Sequence, residues 1–147
     1  MNAKRLLLIT INIALMVSVL IYVGISYFIG MQNGWTSSMQ IKEGGQMLVF
    51  IFPLLSLSLI AVSFIIPNFL KPKDLGVESA EIKSFIFLNY DEVTPWIQKA
   101  TIMRLALVES VAVLGLVLSL INQDIAWICP YALVSLCLQY VLGPLKR

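Results

Sequence analysis

The chain has 147 residues, 59% of them hydrophobic and only 12% charged, with a mean hydropathy of +0.91 and a net charge of +2. A soluble domain carries about a quarter charged residues, so there is too little polar surface here for a water-soluble globule. The predicted unit is one membrane domain over 1–147 with lipid as its solvent, and its small net charge and lack of a basic-aromatic platform exclude nucleic acid as a partner.

Four apolar runs, 6–30, 47–66, 101–121 (the core of a third helix over 95–121) and 125–143, are each near the roughly 20 residues that cross a ~30 Å hydrocarbon core. Backbone amides in lipid must be satisfied within the segment, so the runs are read as helices. No alternating ten-residue segments argue for a β-barrel. The predicted fold is all-α: an integral membrane bundle of four transmembrane helices, with a cytoplasmic amphipathic connection between the second and third.

The first helix follows MNAKR, a start that also suits a signal peptide. Its apolar stretch is too long for one and no small-residue cleavage site follows, so a retained signal anchor is expected. Ala14, Ser18, Tyr22, Ser26 and Gly30 form a row at four-residue spacing that would let a second helix approach closely. A short outer loop follows, with Trp35 at headgroup level. The second helix contains Pro53, which should kink it. Ser56, Ser58 and Ser63 are available to freed carbonyls, and Pro67-Asn68 should end the helix.

The connection over 67–94 mixes charges with Ile82, Phe85, Ile86 and Phe87. It is too apolar for a disordered linker and reads as an interfacial helix. Thr94-Pro95 is a helix-start signal, with threonine as N-cap and proline at the first position. Trp96 is expected at the membrane interface, the third helix runs from there to 121, and Asn122, Gln123 and Asp124 make a tight outer turn. Trp127 and Tyr131 are expected to anchor the start of the fourth helix at the interface, and Gly143-Pro144 stops it.

Nine of the ten basic residues lie before helix 1, in or beside the long connection, or after helix 4; only Lys42 lies elsewhere. The positive-inside rule therefore places both termini in the cytoplasm. Cys129 and Cys137, eight residues apart on one helix, lie about 12 Å apart along its axis. They cannot bridge each other and are expected as buried small hydrophobes.

Two charges fall inside the third helix. Arg104 lies close enough to the cytoplasmic surface to snorkel. It is five residues from Glu109, which sets the two side chains roughly 140° apart and rules out an ion pair along the helix. Eight residues beyond Thr101, where the apolar run begins, Glu109 lies roughly 12 Å below the cytoplasmic boundary. An ionised group at mid-membrane costs about 2.5–3.5 kcal/mol, so Glu109 is expected to face the bundle, either protonated or paired with a polar group. Counting depth from the cytoplasmic ends brings Asn12, Ser58 and Ser135 to its level, as an interhelical polar cluster or ion-binding site. Ala112, Gly115 and Ser119 form a small-residue packing seam.

The stretch RLALVESVAVLGLVLSLI resembles the carboxylate-bearing helix of the proteolipid c subunits of rotary ATPases. It shares a buried Glu followed by a small residue, Glu109-Ser110, in an Ala/Gly/Leu/Val background. The whole chain resembles uncharacterised four-helix bacterial membrane proteins. In these an amphipathic linker precedes a third helix with an Ile-Ile-Arg-Trp-Ala-Leu-x-Glu-Gly pattern; here that stretch reads IMRLALVES, followed by INQD. The resemblance implies a bacterial inner membrane location and a proton- or cation-binding carboxylate at Glu109. The rotor family's Gly-x-Gly-x-Gly run has no counterpart, since helix 1 has only Gly24 and Gly30 and helix 2 has none. What carries over is helix chemistry rather than a rotating ring.

With no histidine in the chain, His-based triads and His-ligated metal sites are absent, and no glycine-rich phosphate loop occurs. The acids Glu78, Glu81, Asp91 and Glu92 read as a solvated linker. The expectation is a non-catalytic subunit or accessory protein of a membrane complex, or a homo-oligomer, acting through helix packing and without a cofactor. The alternative is ion coupling through Glu109.

Overall fold

The computed structural model describes residues 3–70 and 93–146. Among the described residues there are four long helices: α1 Ala3–Asn33, α2 Gln46–Leu70, α3 Pro95–Asn122 and α4 Ile128–Leu142, the last preceded by a 3₁₀ turn, Ile125–Trp127. Helices α1, α2 and α3, and α4 together with its preceding turn (Ile125–Leu142), are long and apolar enough to cross a membrane. The interfacial helix expected between α2 and α3 falls on 71–92 and lies outside the described residues.

The boundaries follow from local chemistry. Pro95 occupies the first turn of α3, where its missing N–H costs nothing. Thr94 precedes it in extended conformation, but its hydroxyl makes no capping bond, so the helix start rests on the proline and not on a threonine cap. At the other end Gln123 turns left-handed at φ 51, and its N–H returns to the Ser119 carbonyl, as in the αL type of helix termination. Pro67 does not end α2 as expected, because the helix continues to Leu70. Pro67 and Ile66 are buried, and packing of that last turn offsets the single ladder bond a proline removes. Ser58 and Ser63 donate to the carbonyls of Leu54 and Ile60.

Helix α3 is the hub. It packs on α1, α2 and α4, while α4 also packs on α1. Three apolar clusters fill the seams. Leu8, Ile66, Val93, Ile97 and Ala100 join α1, α2 and the start of α3 at the end where both chain termini lie. Val19, Ala112, Ile128 and Ala132 join α1, α3 and α4 at mid-depth. Val111, Leu118 and Tyr131, with Leu48, Phe52 and Ile60 against them, tie α2 to the other two. The outward surface is apolar, with Phe50 73%, Leu54 66% and Leu133 65% exposed. A water-soluble monomer does not present such a continuous apolar surface, and a bilayer is the solvent that suits it.

The small-residue seam of α3 is spent inside the chain. Ala112 is buried against Val19 and Ala132. A Cβ on Gly115 would come within 2.9 Å of Tyr131 Cγ and closer still to its Cβ. Ser119 is buried and its hydroxyl lies 2.6 Å from that of Ser26. Cys129 and Cys137 are both free and exposed on α4, contrary to the expectation of burial. The inward face of α4 is taken instead by Ile128, Tyr131, Ala132, Ser135, Gln139 and Leu142.

Candidate carboxylate site between the first and third helices

Ser18 and Tyr22 are one turn apart on α1 and so share a face. Both reach across to Glu109 on α3. Tyr22 donates its phenolic O–H to Glu109 Oε1 at 2.8 Å, and Ser18 Oγ forms a hydrogen bond with the same oxygen. The hydroxyl of Ser18 also lies 2.7 Å from the carbonyl of Leu15. Glu109 is half-buried. On its open side the neighbours one turn away on α3, Ala106 and Val113, are exposed. The carboxyl group therefore sits at the outward edge of the α1–α3 seam, held on one side by hydroxyls and open on the other.

The companions expected for Glu109 lie elsewhere. Ser58 is exposed on α2 and bonds to its own helix at Leu54. Ser135 is buried and donates to the Val108 carbonyl at 2.9 Å, so it touches the backbone beside Glu109 and not the carboxylate. Asn12 is buried toward α4, with Nδ2 3.5 Å from the Gln139 carbonyl. The error lay in the depth count. Helix α1 begins at Ala3 and α3 at Pro95, so Ser18, fifteen residues in, stands level with Glu109, fourteen residues in. Asn12 lies two turns nearer the termini. The row of Ser18, Tyr22, Ser26 and Gly30 was the available signal, read as a packing seam although two of its members carry the hydroxyls that meet the acid.

Arg104 is 1% exposed, with its guanidinium 5.8 Å from the centroid of the Phe64 ring. It is buried between α3 and α2 rather than snorkelling outward, in cation–π range of the aromatic face. Trp96 packs against the apolar cluster at the terminal end. Trp127 donates its indole N–H to the Gln40 carbonyl at 3.1 Å, which ties the turn before α4 to the α1–α2 loop.

A second polar centre, at the end of the bundle opposite the chain termini, was not anticipated. Asp124 is fully buried, and its carboxylate accepts from the Gln40 N–H at 2.8 Å, the Thr36 hydroxyl at 2.9 Å, the Ala126 N–H at 2.9 Å and the Ser38 N–H at 3.2 Å. Burial alone would push its pKa up. The donated bonds from Ala126, Gln40, Thr36 and Ser38 outweigh that and hold it below the ordinary carboxylate value. Asp124 thereby staples the α1–α2 loop to the α3–α4 turn. Asn122 Oδ1 adds a bond from the Lys42 N–H at 3.1 Å, and Lys42 Nζ meets Gln123 Oε1. The Ser119 hydroxyl donates to the Asp124 carbonyl at 2.8 Å. Its one proton is thereby used, so Ser26 is the donor in the Ser26–Ser119 pair.

Comparison with known protein families, with curated proteins and with solved structures finds no match to this chain.

Proposed function

We propose that this is a small multi-pass membrane protein whose working group is Glu109, a carboxyl that takes up and releases a proton, or a monovalent cation in its place, from within the bilayer. The reading agrees with the resemblance of its third helix to the carboxylate helix of proteolipid c subunits. Its orientation, argued from the basic residues, has both termini on the cytoplasmic side of a bacterial inner membrane.

One observation carries the reading. Ser18 has a single hydroxyl proton and two acceptors within reach, the Leu15 carbonyl and Glu109 Oε1. With the carboxyl ionised, Ser18 and Tyr22 both donate to it. With the carboxyl protonated, Ser18 turns its proton to Leu15 and accepts one from Glu109, while Tyr22 still donates. Both charge states thus keep Oε1 hydrogen-bonded without moving a helix. A purely structural clasp has no need for a second arrangement.

A hydrophobic carbodiimide tests this, because it reacts with protonated carboxyls in apolar surroundings and can approach from the lipid side. The expected result is a mass gain of one reagent on Glu109, suppressed at high pH or by sodium and abolished in Glu109→Gln. Labelling that is absent at every pH, or unchanged in Glu109→Gln, would overturn the reading.

A second reading, a non-catalytic accessory or scaffold subunit acting through helix packing, is favoured by α2. This helix packs on α3 and leaves Met47, Phe50, Leu54 and Leu57 exposed along its outer side. A groove of about 410 Å³ lined by Pro53, Ile60, Val111 and Tyr131 separates it from α4. The two readings are compatible if a partner helix covers the open edge at Glu109.

A further inference from the structure

Helices α2 and α4 each pack on α3 and leave between them the groove of about 410 Å³. Pro53 and Ile60 mark its two ends on α2, Trp127 and Val134 mark them on α4, and Val111 of α3 lies at its floor. The lining is almost wholly apolar, and its one serine, Ser56, keeps the hydroxyl oxygen sunk in the wall. Pro53 and Ile60 are seven residues apart, about 10 Å along a helix, so 410 Å³ amounts to about 40 Å² of cross-section. A helix 10–12 Å across needs about twice that. A single alkyl chain is much thinner and fits.

The depth of the groove can be counted from the loop above it. The Lys42 N–H bonds to Asn122 Oδ1 at 3.1 Å, and a Cβ on Gly45 would lie 3.1 Å from Asn122 Cγ. Lys42, the start of α2 and the end of α3 therefore share one level. Pro53 and Ile60 follow Gly45 by eight and fifteen residues, about 12 and 22 Å inward, and Val111 is about 16 Å inward from Asn122. A bilayer measures about 40–45 Å with its headgroups and ~30 Å without them. With Lys42 at headgroup level, the groove begins about 5 Å inside the hydrocarbon and ends near the midplane. That is the span of one leaflet's acyl chains.

The mouth carries charges that complete the site. Trp127 donates to the Gln40 carbonyl, and Lys42 follows Gln40 by two residues, about 7 Å of chain at most. Lys42 is the only basic residue of the α1–α2 loop and the α3–α4 turn. Its ammonium has three donors, one of which meets Gln123 Oε1, so two remain for a phosphate oxygen. Glu43, beside it and exposed, offers an acceptor to a primary ammonium. A purely anionic headgroup would be repelled by Glu43, whereas a zwitterionic one matches both charges.

We propose that the α2–α4 groove holds one acyl chain of a zwitterionic phospholipid of the ethanolamine type, with its phosphate on Lys42 and its ammonium on Glu43. The lipid belongs to the leaflet at the end opposite the chain termini. It leaves Met47, Phe50 and Leu54, exposed on α2, to any protein partner. The site shares no residue with Glu109 and is independent of the proton-exchange reading.

Native mass spectrometry of the full chain tests this, after delipidation in mild detergent and titration with dioleoyl phosphatidylethanolamine or dioleoyl phosphatidylglycerol. One ethanolamine lipid should be retained per chain, in preference to the glycerol lipid. Val134→Trp, at a position 40% exposed in the groove, should abolish that retention. Lys42→Gln and Glu43→Gln should each weaken it about three- to fivefold, as expected for exposed charge pairs. Retention unchanged in Val134→Trp, or equal for the two lipids, would overturn the proposal. So would a second protein chain that binds wild type and is lost in Val134→Trp, which would give the groove to a partner helix. Should Val134→Trp fail to fold, Leu57→Trp on the facing wall, 63% exposed, decides by the same readout.

Discussion

Replacing Asp124 with alanine is expected to destabilise the folded protein by at least ~3 kcal/mol, with loss of monodisperse material in detergent. The carboxylate collects four donors, and hydrogen bonds to a charged acceptor contribute about 1.5–3 kcal/mol each. Some of the freed donors regain water at the loop, so the total falls short of the sum. Asp124→Asn keeps one acceptor oxygen and should sit between the two. The pH dependence has a definite sign. The folded-state pKa of Asp124 is lowered, so its contribution is complete above the unfolded-state value of about 3.9 and is lost as pH falls through the lower folded-state value. The melting-temperature gap between wild type and Asp124→Asn should therefore be constant from pH 7 to about 5 and close below about pH 4. A gap that narrows on the alkaline side would contradict this assignment.

Gly115→Leu is expected to be at least as damaging, by a different mechanism. The added side chain would begin inside van der Waals contact with the base of Tyr131, and Tyr131 is 8% exposed with α2 side chains behind it. Overpacking a filled seam costs about 1–3 kcal/mol and more where the obstacle cannot turn away. Here the obstructing atom is a Cβ, fixed to the α4 backbone, so α3 and α4 must separate. Gly115→Ala should show a smaller loss in the same direction. Equal melting temperatures for Gly115→Leu and wild type would refute the intramolecular role given to this seam.

Much of the architecture could be read from the sequence because lipid imposes simple rules. Length and apolarity marked four helices, and Thr94-Pro95 located the start of α3 to the residue. The end of α2 was misjudged because Pro67 lies in a last turn whose burial outweighs one lost bond, and burial cannot be read locally. The acid at 109 could be identified because carboxylates are rare in apolar helices. Its partners could not, because a depth count depends on where each helix begins, and α3 starts at Pro95, six residues before the Thr101 from which the depth of Glu109 is counted. Asp124 was missed for a related reason. A turn aspartate looks ordinary until the α1–α2 loop, far away in sequence, folds onto it. The inward face of α4 was similarly hidden, since Cys129 and Cys137 compete with Ser135 and Gln139 for the core and only helix packing decides between them.

The central claim is that Glu109 changes protonation inside the membrane while Ser18 and Tyr22 hold it. Infrared difference spectroscopy of the protein in lipid bilayers, titrated with pH, reads this directly. The account predicts a protonated-carboxyl stretching band that appears on acidification, is missing in Glu109→Gln, and changes frequency in Tyr22→Phe as a hydrogen bond to Oε1 is lost. A difference spectrum identical in wild type and Glu109→Gln across the whole range would contradict it.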